Sequence, residues 1–184
     1  MDDPLLALVA RLEEALAPGA GEEAGVRRLL AAYAARNRDW RRYAAFRTDR
    51  HTRRLVFRGE RFELLVMGWE PRQASPVHDH GGRRCWMTVL RGCILETPFA
   101  PPGRGPGPLR AGPTAVRRPG EVSYVHDDAG LHRVAAAPEG RAVSLHLYAG
   151  PLRSCRVFDP RTGRAERVEL TYDNVPGPPV TGPR

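Results

Sequence analysis

The chain has 184 residues, 29 of them basic against 21 acidic, for a formal charge of +8. All 29 cations are arginine and no lysine occurs; with 18 prolines and 19 glycines this marks a compositional bias that raises basicity without requiring a nucleic-acid partner. A hydrophobic fraction of 41% excludes a wholly disordered or collagen-like chain, and no apolar run approaches the roughly 20 residues needed to span a bilayer.

The start Met1-Asp2-Asp3-Pro4 lacks the basic beginning of a secretion signal. A soluble, cytoplasmic protein with no membrane or nucleic-acid partner is therefore expected, acting as a monomer. The length fits one domain over 1–184, with a helical part at 1–45, a β part at 50–172 and a Pro/Gly-rich tail at 173–184. Three cysteines, Cys85, Cys93 and Cys155, are odd in number and lack CxxC spacing, so no disulfide framework is indicated. Cys93 and Cys155 read as small apolar residues.

In chain order, Leu5, Leu8, Leu12 and Leu16, then Val26, Leu29, Leu30 and Tyr33, recur at three- and four-residue steps, which is the period of amphipathic helix up to about Trp40. Asp3 reads as the N-cap with Pro4 at the first helical position; Pro18, Gly19 and Gly21 separate the two helices. From about Arg53 the pattern changes to short runs of Val, Leu, Phe and Tyr between turn residues. Strands are expected at 54–58, 62–69, 75–80, 85–90, 94–97, 114–117, 122–126, 132–136, 142–148 and 155–158. The segment from Pro98 to Pro113 reads as a loop between two halves of the sheet. The fold class is thus mainly β, a sandwich or barrel with N-terminal α-helices.

Six histidines occur, and two form His78-Asp79-His80. On a strand, residues i and i+2 share a face, so both imidazoles can chelate one ion. Cys85 and Gly92 follow, and a second histidine unit, Gly130-Leu131-His132-Arg133-Val134, comes after the Pro/Gly loop. In Ala142–Tyr148, period two places Val143, Leu145 and Leu147 on one face and Ser144, His146 and Tyr148 on the other, a polar row down one side of an apolar strand. Such a row serves equally as a satisfied structural network or as a set of groups beside a ligand. His126, next to Asp127 and Asp128, reads as a surface histidine at a strand end.

The two-part histidine layout resembles the cupin superfamily, with Cys85 where the first cupin motif commonly carries Glu. Taken with His51-Thr52-Arg53-Arg54-Leu55-Val56, Leu90-Arg91-Gly92, Glu96-Thr97, Ser144-Leu145-His146-Leu147-Tyr148 and Phe158-Asp159, the chain resembles the cysteine dioxygenase family over roughly residues 50–170. The resemblance implies a cupin β-barrel of jelly-roll type holding iron(II), Fe(2+), and converting L-cysteine and O2 to cysteine sulfinate. It implies His78, His80 and His132 as iron ligands and Arg53 as the guanidinium that grips the substrate carboxylate. It also implies a thioether crosslink between Cys85 and Tyr148, with Tyr148 catalytic and Ser144 and His146 as the relay that orients it. His51 departs from the tyrosine that many family members place near the substrate arginine. Another small thiol, such as 3-mercaptopropionate or cysteamine, is the alternative substrate, and a catalytically silent metal-binding cupin acting as a sensor is the alternative class.

Overall fold

The structure, a computed structural model, describes residues 3–17, 23–103 and 107–174. The expected helix break at Pro18, Gly19 and Gly21 and the tail from Val175 to Arg184 lie outside the described residues, as does part of the Pro98–Pro113 loop.

Two helices open the chain, α1 (Pro4–Ala15) and α2 (Glu23–Arg36). The Asp3 carboxylate caps α1 by accepting from the N–H groups of Leu5 and Leu6 at 3.1 and 3.3 Å, with Pro4 in the first turn. The second helix stops at Arg36, short of the Trp40 expected from periodicity, and Asp39–Tyr43 forms a separate 3-10 turn. Asp39 explains the stop: its carboxylate accepts from Leu5 N at 2.9 Å and from the Tyr33 hydroxyl at 2.8 Å, tying the turn back to both helices.

Eleven strands follow: β1 (Thr52–Arg58), β2 (Phe62–Trp69), β3 (Val77–His78), β4 (Cys85–Arg91), β5 (Ile94–Phe99), β6 (Ala115–Arg117), β7 (Val122–Val125), β8 (Leu131–Ala136), β9 (Ala142–Ala149), β10 (Ser154–Phe158) and β11 (Ala165–Glu169). They form a five-stranded sheet in the order β1-β2-β9-β4-β7 and a six-stranded sheet in the order β11-β10-β3-β8-β5-β6, with every named pairing antiparallel. The expected barrel takes the form of two facing sheets that exchange no ladder pairs among the described residues.

Period two sorts the side chains of the first sheet between two cores. Leu64, Val66, Trp86, Val143, Leu145 and Leu147 face outward onto Leu5, Leu8 and Leu12 of α1 and Val26 and Leu30 of α2. Leu65, Met67, Trp69, Met87 and Tyr148 face inward, meeting Ile94, Val134 and Ala136 of the second sheet. Each fully buried Leu or Val contributes about 1.5–3 kcal/mol relative to exposure. Strand β9, between β2 and β4, is buried along nearly its whole length, so its polar row lies inside the protein.

Two expectations are corrected. The strand foreseen over 75–80 shrinks to Val77–His78. Pro76 has no N–H for a ladder, the His80 N–H donates to the Asp127 carboxylate at 2.7 Å instead of to a strand, and Gly81 turns the chain away at φ 58°. His78 and His80 are therefore brought together by a turn and not by i, i+2 strand geometry. Strand β11 was not foreseen: it is an edge strand, mostly exposed, and its Ala-Glu-Arg-Val-Glu sequence carries little apolar signal.

Candidate metal centre and substrate cavity

His78 on β3 and His132 on β8 are direct cross-strand partners, and His80 reaches the same point from the turn after β3. Nitrogen atoms of all three lie within 4.8 Å of one another, and ring centroids are 4.7–5.2 Å apart. Gly130, at φ 121°, sets up the approach of His132: a Cβ there would sit 2.4 Å from the Phe99 carbonyl oxygen, so this crossing of the β5–β8 pair admits only glycine.

Each ring turns its Nδ1 toward an oxygen. The Nδ1 of His78 lies 3.0 Å from the Pro76 carbonyl, that of His132 3.2 Å from Glu96 Oε1, and that of His80 3.5 Å from Asp127 Oδ1. With Nδ1 serving as the N–H, the Nε2 atoms are left as lone-pair donors, the tautomer a metal ion requires. Neither buried ring nitrogen of His80 makes a hydrogen bond in the protein, Nδ1 only approaching Asp127, and the free Nε2 fits a site built for an added group. Burial, then the neighbouring imidazoles, push His78 well below its ordinary pKa, and burial also lowers His80, so both favour the neutral, ligating form.

The supporting carboxylates stay ionised. Burial alone would raise Glu96, but hydrogen bonds from His132 and from Arg117 Nε, the latter at 2.9 Å, outweigh it and hold the carboxyl below its usual value. Burial likewise opposes ionisation of Asp127, yet the His80 side chain and the N–H groups of Gly82 and His80 bring it down to about 2. Three imidazoles, an anion behind two of them and open space in front make up a site that fits a divalent metal.

Beside this cluster lies a cavity of about 200 Å³ lined by His51, Arg53, Trp69, His78, His146 and Tyr148, with Met67, Val134, Leu152, Cys155 and Leu170 as its apolar walls. It is smaller than the roughly 300–1,000 Å³ usual for drug-sized ligands and suits a small molecule. Arg53, from β1, holds Nε and Nη2 buried without a partner. A buried guanidinium with free N–H groups is costly unless an anion completes it, and its planar fork matches a carboxylate.

The inward row of β9 is hydrogen-bonded from Ser144 to His146 and stacked from His146 to Tyr148. Trp69 Nε1 donates to Ser144 Oγ at 2.9 Å, and Ser144 Oγ is 2.9 Å from His146 Nε2. His146 stacks on Tyr148 with centroids 6.1 Å apart and planes 22° from parallel; among the described residues no hydrogen bond joins these two. Burial, then Arg53, keep His146 neutral, well below its ordinary pKa. Burial, then the Cys85 thiol, raise the Tyr148 phenol, so it remains a proton donor at neutral pH. Cys85 sits directly opposite Tyr148 in the β4–β9 ladder, and burial, then Glu96, raise its thiol in turn. His51 stacks on Trp69 at 4.4 Å, and burial with Arg53 lowers it to about 4.

His126 stands apart from the cluster, where its side chain caps the 3-10 turn Asp127–Ala129. Cys155 is a buried thiol in the cavity wall, and Cys93 is partly exposed. The roles of Glu96, Asp127 and Arg117 as supports of the histidines, and of Trp69 as the donor to Ser144, are set by the tertiary fold. Trp69 on β2 and Glu96 on β5 read as ordinary strand positions, although Glu96-Thr97 stands among the stretches that resemble the family.

Fold and site together define a cupin-type double-stranded β-helix protein with a three-histidine cluster that could hold a metal ion. A solved protein with a double-stranded β-helix domain from Klebsiella pneumoniae superposes with a TM-score of 0.50 at 14% identity, covering 74% of this chain and 97% of that one. The model of the family described as cysteine dioxygenase type I matches residues 3–161. Cysteine dioxygenase type 1 from Homo sapiens is 36% identical over 158 residues, 83% of this chain and 79% of its own length. That from Danio rerio is 36% identical over 150 residues, covering 80% and 75%. The chain belongs to the cysteine dioxygenase type I family.

Proposed function

We propose that this chain is an iron(II)-dependent thiol dioxygenase that oxidises L-cysteine, adding both atoms of O2 to the thiol sulfur to give cysteine sulfinate. The observation that carries the substrate is Arg53: a buried guanidinium with unpaired N–H groups in the same small cavity as His78. The names of the curated relatives support the same reaction.

His78, His80 and His132 would hold the iron through Nε2. Bound there, iron(II) supplies a Lewis acid that favours the substrate thiolate and the redox chemistry of oxygen transfer. Arg53 binds the substrate carboxylate through two N–H groups, fixing the carbon chain with its sulfur toward the histidines. Tyr148, still protonated, offers its O–H beside the reacting sulfur. Ser144 and His146 hold the ring beneath it through stacking and the bond to Trp69. Cys85, opposite Tyr148, is placed to form the thioether crosslink. Met67, Val134, Leu152 and Leu170 keep bulk water from the site. The reading includes a monomeric cytoplasmic enzyme of one domain, with no nucleic-acid partner.

The test is incubation of anaerobically iron-loaded protein with a panel of thiols, followed by oxygen-uptake and mass measurements after air is admitted. Cysteine sulfinate forms from L-cysteine at one O2 per thiol. Absence of any sulfinate overturns the enzyme reading in favour of a silent metal-binding cupin, and preference for a thiol without a carboxylate overturns the role of Arg53.

A further inference from the structure

Strand β1 is an edge of the five-stranded sheet and β11 an edge of the six-stranded one. The chain leaving β11 crosses from one to the other. Leu170 lines the cavity while its N–H donates to the Arg153 carbonyl at 2.8 Å. Asp173 and Asn174 then satisfy the free edge of β1: Asp173 Oδ2 accepts from Arg53 N at 2.7 Å and Asp173 N donates to the Arg53 carbonyl at 2.8 Å. The Asn174 side-chain amide makes both its bonds to Leu55, Oδ1 accepting from the N–H at 2.8 Å and Nδ2 donating to the carbonyl at 2.9 Å. These two residues, the first of the expected Pro/Gly-rich tail at 173–184, are thus strapped to the strand that carries Arg53.

Between the crossing and the strap stands Tyr172. Its ring centroid lies 5.9 Å from Arg53 Cζ, and that of Tyr148 lies 5.9 Å from the same atom, so the guanidinium has two aromatic neighbours. Tyr172 is itself anchored: its hydroxyl donates to Glu63 Oε2 at 2.6 Å, Arg58 bonds that hydroxyl, and Glu63 is fully buried. Neither Tyr172 nor Glu63 belongs to the cavity wall described above, and both reach the substrate only through Arg53.

We propose that Tyr172, anchored by Glu63 and by the Asp173–Asn174 strap, is a positioning residue that holds the Arg53 guanidinium in place for the substrate carboxylate. Arg53 has no hydrogen-bond partner at Nε or Nη2 to fix its rotamer, so its aromatic neighbours and the backbone bonds to Asp173 must do so. Tyr148 is committed to the reacting end of the substrate, whereas Tyr172 lies outside the cavity wall, and its ring has two guanidinium neighbours, Arg58 Cζ at 4.6 Å and Arg53 Cζ at 5.9 Å. The inference rests on the proposed role of Arg53 and extends it to a residue that touches no substrate.

The test compares binding of L-cysteine and cysteamine to anaerobic iron-loaded protein by isothermal titration calorimetry, where no turnover occurs. The wild type binds L-cysteine more tightly. Tyr172→Leu weakens L-cysteine by about tenfold and Tyr172→Phe, which keeps the ring but loses the Glu63 bond, by about threefold; cysteamine, with no carboxylate, changes by less than about twofold in both. Air-equilibrated kinetics show the same pattern as a raised KM for L-cysteine at nearly constant kcat. Unchanged L-cysteine binding in a folded Tyr172→Phe or Tyr172→Leu protein, or an equal loss for both thiols, overturns the role of Tyr172 while leaving the dioxygenase reading intact. A wild type that does not discriminate the two thiols overturns the role of Arg53 itself.

Discussion

His78 and His132 face each other as antiparallel partners on β3 and β8, 4.7 Å between ring centroids, although 54 positions separate them in sequence (132 − 78 = 54). The pairing makes the approach of these two imidazoles a property of the sheet, and the proposed metal site is built on it. His132→Ala is accordingly expected to remove iron and leave the fold intact. Iron content by elemental analysis falls to background while circular dichroism keeps its wild-type shape; retained iron would remove His132 from the ligand set.

Glu96 holds the Nδ1 side of His132 and is in turn held by Arg117. Glu96→Gln keeps the size but removes the charge behind the imidazole. Iron affinity, measured by competition with a chelator, is expected to drop by about 10–100-fold.

The Cys85–Tyr148 pair occupies opposing positions of one ladder, where Cβ atoms stand about 4.5–5.5 Å apart. Protein turned over with iron, L-cysteine and O2 is expected to yield a linked Cys85–Tyr148 peptide on digestion and mass analysis. Cys85→Ser abolishes that peptide, and its absence from the wild type would show that the pair stays unlinked.

Ser144 satisfies two buried partners at once, Trp69 Nε1 and His146 Nε2. Ser144→Ala strands both and is expected to lower stability by about 1–3 kcal/mol in chemical unfolding. A neutral result would mean that the row packs without needing the hydroxyl.

His51 is depressed to about 4 from an ordinary 6.5, so the folded state binds its proton less readily than the unfolded chain does. The stability this gives is complete above pH 6.5 and is lost as pH falls toward 4, because protonation of the unfolded state then competes with folding. Metal-free protein is therefore expected to show a Tm that declines between pH 7 and pH 5. His78, His80 and His146 are depressed by burial in the same sense, so His51→Phe, which keeps an aromatic ring on Trp69 and cannot titrate, should lessen that decline by the share of one histidine; an unchanged slope would assign it to the other three.

Much of this was legible in the chain. Leucines at helical spacing after an Asp-Pro start specify α1 and its cap, and strict alternation in Ala142–Tyr148 predicts which side chains of β9 share a face, because period and capping are local properties. The family motifs named His78, His80, His132, Arg53 and Tyr148 as members of one site. Local pattern alone misplaced the route to His80, since a side-chain carboxylate 47 positions away takes the place of a strand partner.

Local pattern alone set most of the helices and strands, the two faces of β9 and the residues capable of metal and carboxylate chemistry. The tertiary structure alone decided what supports them: Glu96 and Asp127 behind the imidazoles, Trp69 on Ser144, and Tyr172 with Asp173 beside Arg53. Those partners lie 36 to 120 positions from the groups they serve. Their roles depend on sheet order and on which strand is an edge, and neither leaves a periodic trace in the chain.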